Sequence, residues 1–309
     1  MKEMNLQRYR EKYLDPTETP AVPYTLCEAE PCDFPLPKRE PVTHKYSYGR
    51  ALVIAGARGY SGAPALAANA CERGGAGLTH LMVPESIYPI AAARCDGAVV
   101  TPLPATESGQ ISPEALPQIL EQLSKARACV VGPGLGAGES TKALVRGILR
   151  EAACPLILDA DALTSLAGET ELLSACRAPL FLTPHEGEFK RLGGDLSKGR
   201  LSGALRFCAE HPNAILILKG YGTLVCRGGD VSVNPTGGPA MAKGGAGDVL
   251  CGVLCALLAQ GVDQWFAARC AVYLHGFAGD LAAAELGEYS LAPSDLIRFL
   301  PRAFKTLAI

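Results

Sequence analysis

Short, mostly apolar segments alternate with helix-like segments through most of this 309-residue chain. The apolar segments are residues 51–55, 78–83, 97–101, 128–131, 155–158, 179–182 and 214–218. Strands that are apolar on both faces and are joined by helices form a parallel sheet that helices cover on both sides. The alternation therefore predicts an α/β fold of three layers (α/β/α) with a mostly parallel central sheet.

The pattern changes near residue 215. Residues 215–218, 222–226 and 231–233 are strand-like and lie too close together for helical crossovers. Such spacing predicts a β-meander, and hence an antiparallel edge of the sheet. Three long helices are expected after it, at residues 248–260, 264–285 and 293–306.

The composition excludes several classes of protein. A net charge of -2 and the lack of a basic tract argue against a nucleic-acid partner. No apolar run reaches the roughly 18 residues that span a bilayer, and the charged N-terminus is not a secretory signal. The 12 cysteines are irregularly spaced, form no Cys-x-x-Cys and lie mostly in apolar stretches, as free buried thiols do. We therefore predict a cytoplasmic protein with no membrane partner.

Residues 1–40 differ from the rest of the chain because they are rich in proline and charge. We predict an N-terminal arm or short helix that packs on the body or on a neighbouring subunit, with disorder as the alternative. The body, residues 41–309, is expected to be a single functional domain.

A glycine-dense loop, Gly244-Gly245-Ala246-Gly247, is followed directly by Asp248 and an apolar, helix-like stretch. A helix N-terminus offers unpaired N–H groups and a positive dipole end to an anion, and glycines allow close approach. A carboxylate there can take a proton from a hydroxyl that attacks phosphorus, or hold a cation. The alternative is a glycine turn in which Asp248 is an ordinary carboxylate of the first helical turn.

Other polar or glycine-rich segments follow the predicted strands, whose carboxyl ends share one edge of the sheet. Loops 56–62 and 132–136 are either ligand contacts or tight turns. Asp159 and Asp161 either coordinate Mg²⁺ through water or serve the next helix, with Asp161 as its N-cap.

Two further segments carry titratable side chains. In residues 183–188, His185 is a candidate for substrate binding and Glu188 for binding Mg²⁺ through water. A structural histidine and a glutamate that serves the helix dipole are the alternatives. Lys219 can meet a phosphate as a point charge and Thr223 can donate its hydroxyl, whereas a hairpin turn with a solvated lysine is the alternative.

Five stretches, in order along the chain, resemble the ADP/ATP-dependent NAD(P)H-hydrate dehydratases of the ribokinase-like superfamily. They are His44-Lys45 with residues 49–62, then 131–136, 158–163, 182–188 with 218–223, and 234–252. The resemblance covers about residues 41–305, including the ending from Ser290 to Pro301. It implies that ADP or ATP phosphorylates the hydroxyl of a hydrated NADH or NADPH, and that phosphate elimination restores NAD(P)H.

The resemblance also implies a role for each matching residue. Asp248 would be the base, beside an anion hole formed by Gly244, Gly245, Ala246 and Gly247. The hydrate would contact Ala63, Gly134, Gly136, His185 and Asp248. The adenine nucleotide would contact Lys219, Gly220, Tyr221, Gly222, Thr223 and Gly247. Mg²⁺ would be the cofactor, held through water by Glu188, and a homo-oligomer is expected.

The chain departs from the family pattern at two places. Ala246 stands where threonine is usual, which removes a hydroxyl near the phosphate, and residues 238–241 differ from the common Asn-Pro-Gly-Met. Residues 1–40 are too few for the epimerase domain that many members carry, so dehydratase activity alone is expected. A small-molecule kinase of a vitamin precursor is the main alternative, and a non-catalytic nucleotide-binding module is the second.

Overall fold

Eleven strands form one sheet in the computed structural model, which describes residues 1–36 and 38–307. The strands are β1 (Lys2–Glu3), β2 (Thr25–Glu28), β3 (Arg50–Ile54), β4 (Leu78–Pro84), β5 (Val99–Leu103), β6 (Ala128–Val131), β7 (Leu156–Leu158), β8 (Leu180–Leu182), β9 (Ala214–Leu218), β10 (Leu224–Arg227) and β11 (Asp230–Val233). Their order across the sheet is β1-β2-β11-β10-β9-β8-β7-β6-β3-β4-β5. The predicted arm includes Pro37 and the predicted body includes residues 308–309, which lie outside the described residues.

Helices connect most of the strands. They are α1 (Leu6–Tyr13), α2 (Gly62–Arg73), α3 (Tyr88–Arg94), α4 (Leu116–Leu123), α5 (Glu139–Glu151), α6 (Asp161–Ser165), α7 (Glu171–Ala175), α8 (Glu186–Arg191), α9 (Arg200–Glu210), α10 (Ala246–Ala259), α11 (Gln264–Leu286) and α12 (Pro293–Leu307). Within the described residues, no helix is long and apolar enough to cross a membrane.

The sheet separates two apolar cores, because successive side chains of a strand point to opposite faces. In β3, Ala51 and Val53 belong to the core beneath α2, α10, α11 and α12. Leu52 and Ile54 belong to the core on the other face, which α4, α5 and α9 cover. Both sets are fully buried, so the strand has no polar face. The predicted three-layer α/β fold is therefore confirmed.

Parallel pairing extends from β5 through β3 to β9, and the only strands that run against it are β10 and β1, within the described residues. β10 pairs antiparallel with both β9 and β11, as the close spacing of these segments predicted. β3 lies between β6 and β4, so the strand order reverses there. Such a reversal opens a crevice at the carboxyl ends of the strands.

The N-terminal arm (residues 1–40) adds two strands to this sheet. β2 pairs in parallel with β11, with Thr25 opposite Asp230 and Glu28 opposite Val233. β1 then pairs antiparallel with β2. The arm also supplies α1, whose side chains Tyr9 and Tyr13 are buried in the same core as β11. The described part of the arm thus packs on the body of its own chain.

Candidate active site

A cavity of about 680 Å³ lies over the carboxyl ends of β7, β8 and β9, next to the N-terminus of α10. Most of the site residues predicted from the sequence line this cavity: His185, Glu188, Lys219, Gly220, Tyr221, Thr223, Gly245, Ala246, Gly247 and Asp248. The fold therefore brings together segments that are far apart in the sequence, because parallel strands end at the same edge of the sheet.

The glycine-dense loop leads into α10 at the cavity. Gly245 is the N-cap, with a φ of 98° that favours glycine. The Ala246 N–H donates to the Lys243 carbonyl over 3.4 Å, whereas the N–H groups of Gly247 and Asp248 have no acceptor among the described residues and are free to meet an anion. A Cβ at Gly247 would lie 3.2 Å from Lys219 Nζ and 3.6 Å from Asp159 Oδ2. A cation therefore lies directly beside the start of the helix.

Lys219 and Asp159 form an ion pair on the cavity floor. Lys219 Nζ donates to Asp159 Oδ1 over 2.7 Å, and Thr183 Oγ1 donates to the same oxygen over 2.8 Å. Glu188 Oε2 lies 3.8 Å from Lys219 Nζ. Burial opposes ionisation, but the carboxylates of Asp159 and Glu188 raise the pKa of Lys219 overall. Lys219 therefore carries a positive charge at neutral pH.

Asp248 lies in the first turn of α10 and faces this charged group. Burial first, and then the Asp159 carboxylate, raise the pKa of Asp248 to about 7, although Lys219 opposes the shift. A carboxylate with such a pKa exchanges a proton readily near neutral pH, as a general base must. The role of Asp248 as the base stays a prediction.

His185 and Glu188 form a capping box at the start of α8. His185 Nδ1 accepts from the N–H groups of Gly187 at 3.0 Å and Glu188 at 3.3 Å. Glu188 Oε2 accepts from the His185 N–H at 2.8 Å. Because Nδ1 is an acceptor, a neutral His185 ring carries its proton on Nε2. Both residues serve the helix and also line the cavity.

Ala160 separates the two aspartates after β7, with an unusual φ of 48° and ψ of -115°. This backbone turn lets the two side chains point to different partners. Asp159 pairs with Lys219, whereas Asp161 Oδ2 accepts from the Gly136 N–H at 2.8 Å. The expectation that Asp161 is an N-cap is wrong: it is the first residue of α6, and its carboxylate holds the loop after β6 instead.

Three predicted hydrate-binding residues lie at the neighbouring reversal of strand order. A Cβ at Gly134 would lie 3.3 Å from the Ala63 Cβ and 2.8 Å from the Tyr60 Cβ. The Gly56 N–H donates to the Pro133 carbonyl over 2.8 Å, which ties the loops after β3 and β6 together. Ala63, Gly134 and Gly136 therefore form a separate group from the residues around the 680 Å³ cavity.

The β9–β10 loop (residues 219–223) forms one wall of the cavity. Thr223 Oγ1 donates to the Gly220 carbonyl over 2.9 Å and accepts from the Gly220 N–H over 3.3 Å. The Thr223 hydroxyl thus joins the two ends of the loop. The prediction that Thr223 donates its hydroxyl to a ligand did not include this bond within the loop. The sequence also gave no signal for Arg200, the first residue of α9, whose guanidinium donates to carbonyls of this loop.

His275 lines the 680 Å³ cavity and is a residue that the sequence did not indicate. It lies on α11 and is buried, and its Nε2 has no hydrogen-bond partner among the described residues. Burial lowers the pKa of His275 to about 4, so the ring is neutral at physiological pH. Its position within a long apolar helix hid it, because such a histidine has no distinctive local pattern.

A model of the NAD(P)H-hydrate dehydratase family matches residues 51–302. The chain belongs to this family. A curated relative from Moorella thermoacetica, a bifunctional NAD(P)H-hydrate repair enzyme Nnr, is 40% identical over 287 residues, which cover 91% of this chain and 54% of the relative. The chain spans about half the length of the curated relatives that it matches.

Solved structures support the same family. The ADP/ATP-dependent NAD(P)H-hydrate dehydratase from Bacillus subtilis, co-crystallised with ATP/Mg²⁺, is 34% identical with a TM-score of 0.77, covering 88% of this chain and 94% of that one. Ribokinase from Arabidopsis thaliana shares the fold alone, at 16% identity and a TM-score of 0.52, covering 82% of this chain and 98% of that one. The ribokinase-like architecture predicted from the sequence is thereby confirmed.

Proposed function

We propose that this protein restores NAD(P)H from its hydrate, using ADP or ATP with Mg²⁺. The observation that carries the proposal is the position of Asp248, a carboxylate with a pKa of about 7 at a helix N-terminus beside the Lys219 ammonium. Phosphoryl transfer needs positioning, neutralisation of charge and one group that accepts a proton. Membership of the family, together with this geometry, supports the proposal.

The residues present fit a magnesium ion bound with a nucleotide. No group of three His, Cys, Asp or Glu residues suited to hold a metal occurs in the described part of the chain. Mg²⁺ in phosphoryl-transfer sites needs fewer protein ligands, because phosphates and waters supply most of them. Glu188 and Asp159 line the cavity and would hold the ion through water. When bound, Mg²⁺ neutralises charge on the transferring phosphoryl group.

Asp248 begins the reaction by taking the proton of the hydroxyl that water added to the nicotinamide ring. The hydroxyl oxygen forms a bond to the terminal phosphorus, and the bond from that phosphorus to the nucleotide breaks. The N–H groups of the first turn of α10, with Lys219, stabilise the charge on the transferred group. Phosphate then leaves with the C–O bonding electrons, and loss of a proton from the adjacent ring carbon restores the double bond.

The remaining assignments belong to the same proposal. Ala63, Gly134, Gly136 and His185 would contact the hydrate. The β9–β10 loop and Gly247 would contact the adenine nucleotide, and Gly244 and Ala246 would complete the anion hole. Residues 41–309 would form the functional domain of a cytoplasmic homo-oligomer.

The test is to mix chemically hydrated NADH with Mg²⁺ and either ADP or ATP, and to follow the near-ultraviolet absorbance of reduced nicotinamide. A rise supports the proposal, and the faster nucleotide identifies the phosphoryl donor. A flat trace with both nucleotides on folded protein contradicts it. A stable phosphorylated product from a small alcohol would instead favour the vitamin-precursor kinase.

A further inference from the structure

The N-terminal arm reaches the cavity wall through α9. Arg200 begins this helix, and its guanidinium donates to the carbonyl oxygens of Leu218 at 3.1 Å, Lys219 at 3.3 Å and Tyr221 at 2.6 Å. Its Nε lies 3.2 Å from a carboxylate oxygen of Glu186, with which it forms an ion pair but no hydrogen bond. One side chain thus fixes the backbone on both sides of Gly220.

Two carboxylates of the arm hold the start of α9 itself. Asp15 Oδ2 accepts from the Arg200 N–H at 3.1 Å. Glu18 is fully buried and accepts from the N–H groups of Leu201 and Ser202, the latter at 2.9 Å, and from the Ser202 hydroxyl at 2.8 Å. Gly199, the N-cap, has no side chain that could do this. The arm therefore supplies the cap of α9 from a distant part of the chain.

The arm also contacts the β9–β10 loop directly. The Tyr13 ring lies with its centroid 5.6 Å from that of Tyr221. Gly222 has a φ of 63°, and a Cβ there would overlap the Tyr13 ring. The Tyr13 hydroxyl donates to Glu28 Oε2 over 3.0 Å, which anchors the ring to β2. The hydrogen bond to β2 thus fixes Tyr13, whose ring packs against Tyr221 and Gly222 of the loop.

We propose that the N-terminal arm is a positioning element for nucleotide binding, and that Arg200 and Tyr13 transmit its effect to the β9–β10 loop. The inference rests on the proposed function, because it takes the loop as the nucleotide contact. Lys219 projects into the cavity from the backbone that Arg200 holds. Without this support the loop must be ordered when the nucleotide binds, and that ordering weakens affinity. Arg200 and Tyr13 are positioning residues, since the loop lies between them and the ligand.

The experiment compares Arg200→Ala with Arg206→Ala, the same substitution on an exposed arginine of α9 that pairs only with Asp195 and Glu210 among the described residues. The dissociation constant of ATP with Mg²⁺ is measured by titration calorimetry, and KM for each substrate by the repair assay. Hydrogen bonds from a charged donor imply a loss of nucleotide affinity of about tenfold or more for Arg200→Ala. KM for the hydrate should stay unchanged in both variants.

Tyr13 provides an independent pair of variants if Arg200→Ala does not fold. Tyr13→Ala should weaken nucleotide binding, whereas Tyr13→Phe loses the bond to Glu28 but keeps the ring against Gly222 and should weaken it less. Equal nucleotide affinity in Tyr13→Ala and wild type would overturn the proposal. So would equal losses in Arg200→Ala and Arg206→Ala, or a parallel rise of KM for both substrates.

The calorimetric measurement separates this inference from the proposed function. If the wild-type protein binds ATP but does not repair the hydrate, the proposed function fails and the affinities of the variants still decide the role of the arm. If the wild-type protein binds neither ADP nor ATP, both proposals fail together.

Discussion

Lys219 and Asp159 form an ion pair of 2.7 Å whose charges lie directly beside the first turn of α10. The carboxylate is buried, and Thr183 donates a second hydrogen bond to the same oxygen. Asp159 thus holds Lys219 beside the first turn of α10 and also raises the pKa of Asp248. One buried carboxylate therefore affects both the Lys219 ammonium group and the Asp248 carboxyl group.

Replacing Asp248 with asparagine should leave ligand binding intact and lower kcat by about 10²–10⁴-fold, because one general base is lost. The absorbance assay gives kcat, and calorimetry gives the affinity for ATP. Asp295→Asn is the matched control, since Asp295 is also a carboxylate in the first turn of a helix but belongs to α12. Near-normal turnover by the Asp248 variant would falsify its role as the base.

The activity of the wild-type enzyme should depend on the protonation of Asp248. Its pKa is raised to about 7, and a base acts only when deprotonated, so kcat/KM should fall as pH drops below 7 and level off above it. Asp159→Asn removes a negative charge that raises this pKa, so the midpoint should move to lower pH. Matching pH profiles for the two proteins would contradict this electrostatic coupling.

Breaking the Lys219–Asp159 pair should also destabilise the protein. Lys219→Met leaves a buried carboxylate without its cation, which costs about 3–5 kcal/mol of unfolding free energy. Lys219→Met combined with Asp159→Leu removes both charges and should recover part of the loss. Urea denaturation at neutral pH measures both effects. Lys125→Met is the control, because Lys125 forms an exposed pair with Glu121 and should show no measurable change.

Ala160→Gly should stabilise the protein by about 1 kcal/mol. Holding alanine at a φ of 48° stores about 1–3 kcal/mol of strain, and the extra chain entropy of glycine offsets only about 0.5–1 kcal/mol. In Ala143→Gly, within the regular helix α5, the same substitution should destabilise instead. A loss of stability in Ala160→Gly, measured by urea denaturation, would show that the strain argument is wrong.

The sequence predicted the central sheet because its signals are local. Continuous apolar segments gave β3, β6 and β9 nearly to the residue, since strands covered on both faces need no polar positions. The helix α9 was not predicted, because Ser202 and Gly203 lower its intrinsic helix propensity and the arm supplies its cap. The strand β2 has four residues, too few for a clear alternation.

In the site, too, local signals could be predicted from the sequence, whereas contacts between distant segments could not. The glycine loop before Asp248 was visible because glycine density and a following apolar helix are adjacent in the sequence. The partners of Asp159 could not be predicted, because Lys219 lies 60 residues away and only the fold brings it close. Arg200 could not be predicted either, because its acceptors are backbone carbonyl oxygens, which any residue provides.

The pairing of β2 with β11 has a consequence for folding during synthesis on the ribosome. Residues 25–28 are synthesised about two hundred residues before their partners, residues 230–233. Until then the nascent arm has no place in the sheet, and contacts so distant in sequence form slowly. A shortened protein that began at residue 41 would leave β11 as a bare edge, open to pairing with other chains. The arm therefore also covers the edge that β11 would otherwise expose.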